Sequence, residues 1–157
     1  MPIGPRLETE RLLLRVGEAC DFEAFAAFNT DEDAMRFTGG HMPRAAAWRK
    51  FLVMPGAWVI QGFGMFSVIE KSSGEWLGQL GPWQPDGWPG TEVGWGFKRS
   101  AWGRGYATEA ARIDIWAQSR ADWRAGCARR ERDAHERASV RVRDCGTRAG
   151  VLAEPRA

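Results

Sequence analysis

Trp102-Gly103-Arg104-Gly105-Tyr106-Ala107-Thr108-Glu109-Ala110 is the stretch on which the fold turns. A strand-like run, Thr91 to Phe97, precedes it. A helix-like run follows from Tyr106 through Ala107, Ala110, Ala111, Ile113, Ile115 and Trp116. The first N–H groups of a helix have no partner inside it, and the helix dipole makes that end partly positive. Strand, glycine turn and helix start together can cradle a phosphate. Gly103 and Gly105 suit such a turn, because glycine takes positive φ cheaply and lets a phosphate approach the backbone. A Gly-x-Gly pair alone is equally at home in a ligand-free turn. Two other cradles are excluded. There is no Gly-x-x-x-x-Gly-Lys-Ser/Thr run, and position 108 is Thr where a dinucleotide fold needs its third glycine.

Upstream of that stretch the chain alternates between helical and extended patterns. Leu7 to Val16, centred on Leu12-Leu13-Leu14, reads as a buried opening strand. Asp21 suits an N-cap, followed by Phe22, Phe25, Ala26 and Phe28 at helical spacing. Asp31 caps a short helix or turn that carries Ala34, Met35 and Phe37, and Gly39-Gly40 ends it. Pro43 opens a helix over Ala45 to Met54, which Pro55-Gly56 is expected to stop. Trp58-Val59-Ile60 and Phe63 to Glu70 then read as strands, Ser72-Ser73-Gly74 as a turn and Trp76 to Leu80 as the returning strand. Gly81-Pro82 and the run from Pro85 to Gly90 read as a rigid loop. In the strand from Thr91 to Phe97, Gly94 and Gly96 predict a bulge or a close approach to the backbone. The order predicts an α+β architecture.

Composition narrows the class. A chain of 157 residues is one domain with room for a core. No apolar run reaches the roughly 18 residues that span a bilayer, and the first residues have no signal-like apolar stretch. Three cysteines without metal spacing and two histidines argue against a disulfide framework and a zinc site. A cytoplasmic protein with no metal is expected. Net charge is +2, but residues 120–157 hold 10 Arg against 6 acidic residues.

Taken in order, these motifs resemble the GNAT acetyltransferase superfamily, in the branch that acetylates ribosomal-protein N-termini. The likeness rests on Leu7-Glu8-Thr9-Glu10-Arg11-Leu12-Leu13-Leu14-Arg15, on Gly62 to Glu70 with Gly74-Glu75-Trp76-Leu77-Gly78, and on Glu92-Val93-Gly94-Trp95 with Trp102 to Ala110. It covers about residues 7–119. The resemblance implies a mostly antiparallel central sheet with flanking helices, and a coenzyme motif over 91–116. It implies acetyl-CoA as cofactor and an amine as acceptor. Backbone N–H groups of Trp102, Gly103, Arg104, Gly105, Tyr106 and Ala107 would hold the diphosphate. The edge at Gly96-Phe97 would pair with the pantetheine arm, and the N–H of Phe97 would face the thioester oxygen. Arg104 would add charge to the phosphates, unless it is simply a solvated surface Arg.

Acetyl transfer needs a neutral amine, so a base must take a proton, directly or through water. Glu92 is the candidate, since alternation puts it on the face of Gly94 and Gly96; the position equally suits a salt-bridged strand Glu. Tyr106, the one tyrosine, reads as packing rather than as an acid for the departing thiolate. Most of the Trp residues read as core. Trp83 and Trp88 stand in the Pro/Gly loop and are the expected substrate contacts.

After Trp116-Ala117 the family pattern breaks. No β-branched residue occurs from 116 to 139, and aliphatic residues are sparse beyond 120. Residues 120–157 read as an Arg/Ala-rich tail, helical or disordered, with the final strand–helix–strand part missing or degraded. A sheet edge left open beside Val93, Trp95 and Phe97 would favour aggregation or a homodimer. A frame-shifted reading of a GC-rich gene accounts for the composition, which would make the chain an inactive relative. A nucleic-acid-binding arm is the rival account. On this reading neither nucleic acid nor membrane is an expected partner.

Overall fold

A six-stranded sheet in the order β1-β2-β3-β4-β5-β6 organises the computed structural model, which describes residues 3–36, 39–112 and 141–144. The strands are β1 (Leu7–Glu8), β2 (Leu12–Arg15), β3 (Phe66–Glu70), β4 (Trp76–Trp83), β5 (Glu92–Phe97) and β6 (Arg141–Asp144). The first five pair antiparallel and β6 joins β5 in parallel. The helices are α1 (Phe22–Thr30), α2 (Glu32–Met35), α3 (Arg44–Gln61) and α4 (Tyr106–Arg112). This is the expected α+β architecture. Phe37, the expected helix residues Ile113, Ile115 and Trp116, and the tail apart from 141–144 lie outside the described residues.

Each face of the sheet carries its own apolar cluster. Phe22, Phe25 and Phe28 of α1 and Ala47, Phe51 and Met54 of α3 meet Ile69 and Trp76 on one face. Leu12, Leu14, Phe66, Val68, Leu80 and Phe97 meet Tyr106 and Ala110 of α4 on the other. With a cluster on each face, β3 and β4 are buried along almost their whole length, and the polar Ser67 and Gln79 are buried with them.

Four expectations are corrected. The opening segment is a hairpin, not one strand: Thr9 N–H donates to Leu12 C=O at 2.9 Å and the chain reverses. Pro55 does not stop α3, which runs through it to Gln61. A mid-helix proline costs about 3 kcal/mol. The second half repays that by burying Met54, Ala57 and Trp58 at helical spacing, with the Trp58 ring 4.8 Å from Phe66. Trp58-Val59-Ile60 is therefore helix, and Gly62, left-handed at φ 78°, closes it.

Gly81 and Pro82 belong to β4 rather than to a loop. Lys98 N–H donates to Leu77 C=O at 2.9 Å. Hydrogen bonds alternate along a strand, so residue 82 turns its missing N–H away from β5, past the point where β3 has ended. Finally, the edge of β5 is not open beside Val93 and Trp95. Residues 141–144 pair with Glu92 to Trp95.

The register shift foreseen in β5 lies instead between β3 and β4, at Val68/Ile69. Gly94 meets the other half of that expectation. A Cβ there would stand 2.9 Å from Met65 Cε, so the methionine occupies the space.

Candidate functional site

The turn from Trp102 to Gly105 joins β5 to α4 through one 3-10 turn, Arg99–Ala101. Gly103 (φ 71°) and Gly105 (φ 77°) are both left-handed, the conformation for which glycine was expected. Among the described residues, the backbone N–H groups of Gly103, Arg104, Gly105, Tyr106 and Ala107 donate to no acceptor of good geometry. The first intrahelical bond at this end is Glu109 N–H to Gly105 C=O, at 2.9 Å.

The amide of Trp102 does not belong to this set. It donates to Arg99 C=O at 3.0 Å, because the 3-10 turn closes on it. The indole of Trp102 does other work, donating through Nε1 to Phe97 C=O at 2.7 Å.

Phe97 is the last residue of β5. The bond from Lys98 N–H to β4 puts the N–H and C=O of Phe97 on the opposite edge, toward the β6 side. Among the described residues, the β5–β6 register runs from Glu92 to Trp95. Strand end, outward-facing Phe97 and glycine turn thus lie next to one another along the chain.

Three anchors hold the turn. Tyr106 is buried, and its hydroxyl donates to Glu70 of β3. That hydrogen bond, together with burial, pushes the phenol above its ordinary pKa. Glu70 is held below the ordinary carboxylate range by hydrogen bonds from Ser73 and Tyr106. Arg104 stacks over the Tyr106 ring at 4.8 Å, with Nη2 at 3.6 Å from Glu70. Its charge therefore stays at the turn. From the β1–β2 turn, Thr9 and Arg11 both reach Glu109 in the first turn of α4. Burial works to raise the Glu109 carboxyl, but the hydrogen bonds from Thr9 and Arg11 outweigh it and hold the pKa down.

Reading the sequence alone missed this last anchor. Its sole trace there is the Thr-Glu-Arg run at 9–11, and nothing local says that the run meets a glutamate about a hundred residues later.

Glu92 is half-buried at the start of β5, opposite Trp83 in register, and shares a sheet face with Gly94 and Gly96. Four residues of strand separate it from Gly96, about 13 Å at the usual rise. Trp83 ends β4 and packs against the α1/α3 cluster, so it is a strand residue and not a loop residue. Trp88 stays in the loop and is 40% exposed. Glu92 and Trp83 are brought together; Trp88 stands apart on the loop. Trp58 and Trp76 are core, as expected. Among the described residues no group of His, Cys, Asp or Glu could hold a metal. No helix among them is long and apolar enough to cross a membrane.

The family model for the GNAT acetyltransferase domain matches residues 11–142, so the likeness extends beyond residue 119 into the Arg-rich part. An acetyltransferase from Agrobacterium tumefaciens is similar in structure, with 29% identity and a TM-score of 0.66 over 86% of this chain and 88% of that one. A GNAT-family acetyltransferase from Bacillus anthracis shares 25% identity and a TM-score of 0.62 over 75% of this chain and 68% of its own. The ribosomal-protein-S5-alanine acetyltransferase of Vibrio fischeri, at 16% identity and a TM-score of 0.59, covers 75% of this chain and 69% of its own; it shares the fold alone. The family model runs from the Arg11 hairpin through β2 to β5 and the glycine turn into the start of β6, and the chain belongs to the GNAT acetyltransferase family and is an acyltransferase.

Proposed function

We propose that this protein moves an acetyl group from acetyl-CoA to a primary amine, on a small molecule or a protein N-terminus, by direct attack with both substrates bound. The observation that carries the reading is the set of unpaired amides from Gly103 to Ala107 beside the outward-facing Phe97. Those amides fit a diphosphate, since a buried or ligand-facing N–H without an acceptor is otherwise costly. Arg104 adds positive charge at the same turn. When bound, acetyl-CoA supplies an activated acyl group as its thioester.

The chain's own residues then divide the work. Phe97 N–H is a fixed donor for the carbonyl oxygen as negative charge develops on it. Trp102 holds Phe97 C=O through its indole and so steadies that peptide. Glu92 is the base. Its backbone lies about 13 Å along the strand from Gly96, and the proton passes to it through water. Trp83 and Trp88 form the acceptor side, Trp83 as a fixed wall beside Glu92 and Trp88 as an exposed contact on the loop. Tyr106 does not donate to the leaving thiolate, because its hydroxyl is committed to Glu70.

Thermal unfolding with and without acetyl-CoA tests the reading, because a ligand that binds the folded state alone raises its stability. Release of free thiol across a panel of amines then identifies the acceptor. No stabilisation and no thiol release would favour the inactive-relative account.

A further inference from the structure

Arg11 lies in the β1–β2 turn, far along the chain from the glycine turn, yet it contacts three residues of that turn and the helix after it. Its Nε donates to Glu109 Oε2 at 2.6 Å, and its backbone N–H to Glu109 Oε1 at 2.9 Å. Its Nη2 donates to Arg104 C=O at 3.1 Å. The guanidinium lies over the Tyr106 ring, 4.5 Å from its centroid. The same Nη2 is 3.7 Å from where a Cβ on Gly105 would stand. Thr9 Oγ1, at 2.6 Å from Glu109 Oε1, completes the clamp.

Two consequences follow from elementary geometry and charge. A trans peptide is planar, with its C=O and the next N–H pointing opposite ways. Holding Arg104 C=O against Arg11 therefore turns Gly105 N–H away from Arg11, to the free side of the turn. Gly105, on one side of this peptide, restrains its direction only weakly, so a bond from outside helps to set it. The second consequence concerns Glu109. A carboxylate in the first turn of α4 opposes any anion held at Gly103 to Ala107, and the Arg11 charge cancels that opposition.

We propose that Arg11 is a positioning residue for the coenzyme diphosphate: it orients the Gly105 amide and neutralises Glu109, without itself touching the reacting atoms. The proposal rests on the acetyl-CoA reading above. It requires a planar fork. A lysine carries the same charge but cannot bond Glu109 and Arg104 C=O at fixed angles together.

The test is calorimetric titration of the full chain with CoA, for the native protein, Arg11→Lys and Arg11→Ala. Arg11→Lys is expected to bind CoA about tenfold more weakly, and Arg11→Ala more weakly still, as misplaced binding groups do. Thermal stabilisation by S-acetyl-pantetheine, which has the thioester arm but no diphosphate, is expected to match the native protein in Arg11→Lys. Native-like CoA affinity in Arg11→Lys would overturn the proposal, as would equal proportional losses for both ligands. If Arg11→Ala does not fold, Arg11→Lys alone decides. A native protein that binds no CoA removes the acetyl-CoA reading and this proposal with it; a native protein that binds CoA as tightly as Arg11→Lys does removes this proposal alone.

Discussion

Two helix starts in this molecule solve the same problem in opposite ways. At α2 the N-cap is Asp31, and its Oδ1 accepts from Asp33 N–H at 3.0 Å and Ala34 N–H at 3.2 Å. Its other oxygen, Oδ2, takes Arg99 Nε at 2.7 Å. That end is closed by its own side chain. At α4 the residue before the helix is Gly105, which has no side chain, and the amides stay unpaired. One terminus is finished by its own side chain; the other, among the described residues, is not. The choice between aspartate and glycine at one position makes the difference, because the backbone donors are the same in both.

Converting one type into the other is the strongest way to break the comparison. Gly105→Asp places a carboxylate where the diphosphate is expected, and aspartate tolerates the left-handed φ of 77° better than most residues. CoA affinity should fall more than about a hundredfold while the fold survives, read by calorimetry and circular dichroism. Retained affinity would show that the open amides are not the binding site.

Glu92→Gln asks whether binding and chemistry are separate. Turnover should drop about a hundredfold with CoA affinity unchanged, the usual scale for a lost general base. Equal losses in both would return Glu92 to a structural role.

The reverse control is Asp31→Ala, which opens the α2 terminus. Loss of a cap costs about 1 kcal/mol, or roughly 2–4 °C in Tm for a chain of this size. CoA affinity should fall far less than in Gly105→Asp, since Asp31 reaches the glycine turn only through its ion pair with Arg99.

The smallest effect is a pH dependence. The Glu109 carboxyl is lowered in the folded state, so its contribution to stability is full above its ordinary value of 4.5. That contribution is lost as pH falls through the lowered folded value. Tm should therefore decline in acid less steeply for Glu109→Gln than for the native chain. An identical decline would show that the Arg11–Glu109 pair adds nothing.

The legible features were those written in short stretches. Gly103 and Gly105 at positive φ, the Asp31 cap and the face shared by Glu92, Gly94 and Gly96 each follow from neighbours within a few residues. The misread prolines share a cause. Pro55, with Trp58-Val59-Ile60 after it, looks like a helix stop and a strand until the core beneath α3 is known. Pro82 looks like a loop until the end of β3 is located beside it. The Trp102 amide looked free until the Arg99–Ala101 turn closed on it. At both prolines burial or pairing with a distant segment outweighed a local preference worth about a few kcal/mol at most; at Trp102 an adjacent 3-10 turn was missed.

What the chain determined by itself was the conformational menu at the glycine turn. Only a residue without a Cβ takes those φ values at low cost, and that constraint is local. What the tertiary structure alone decided was which way the turn's amides face. That direction depends on Arg11 reaching Arg104 C=O and Glu109 across the width of the sheet. Backbone sterics act over a few bonds, whereas a guanidinium finds its partners only after the sheet has brought the two ends of the domain together.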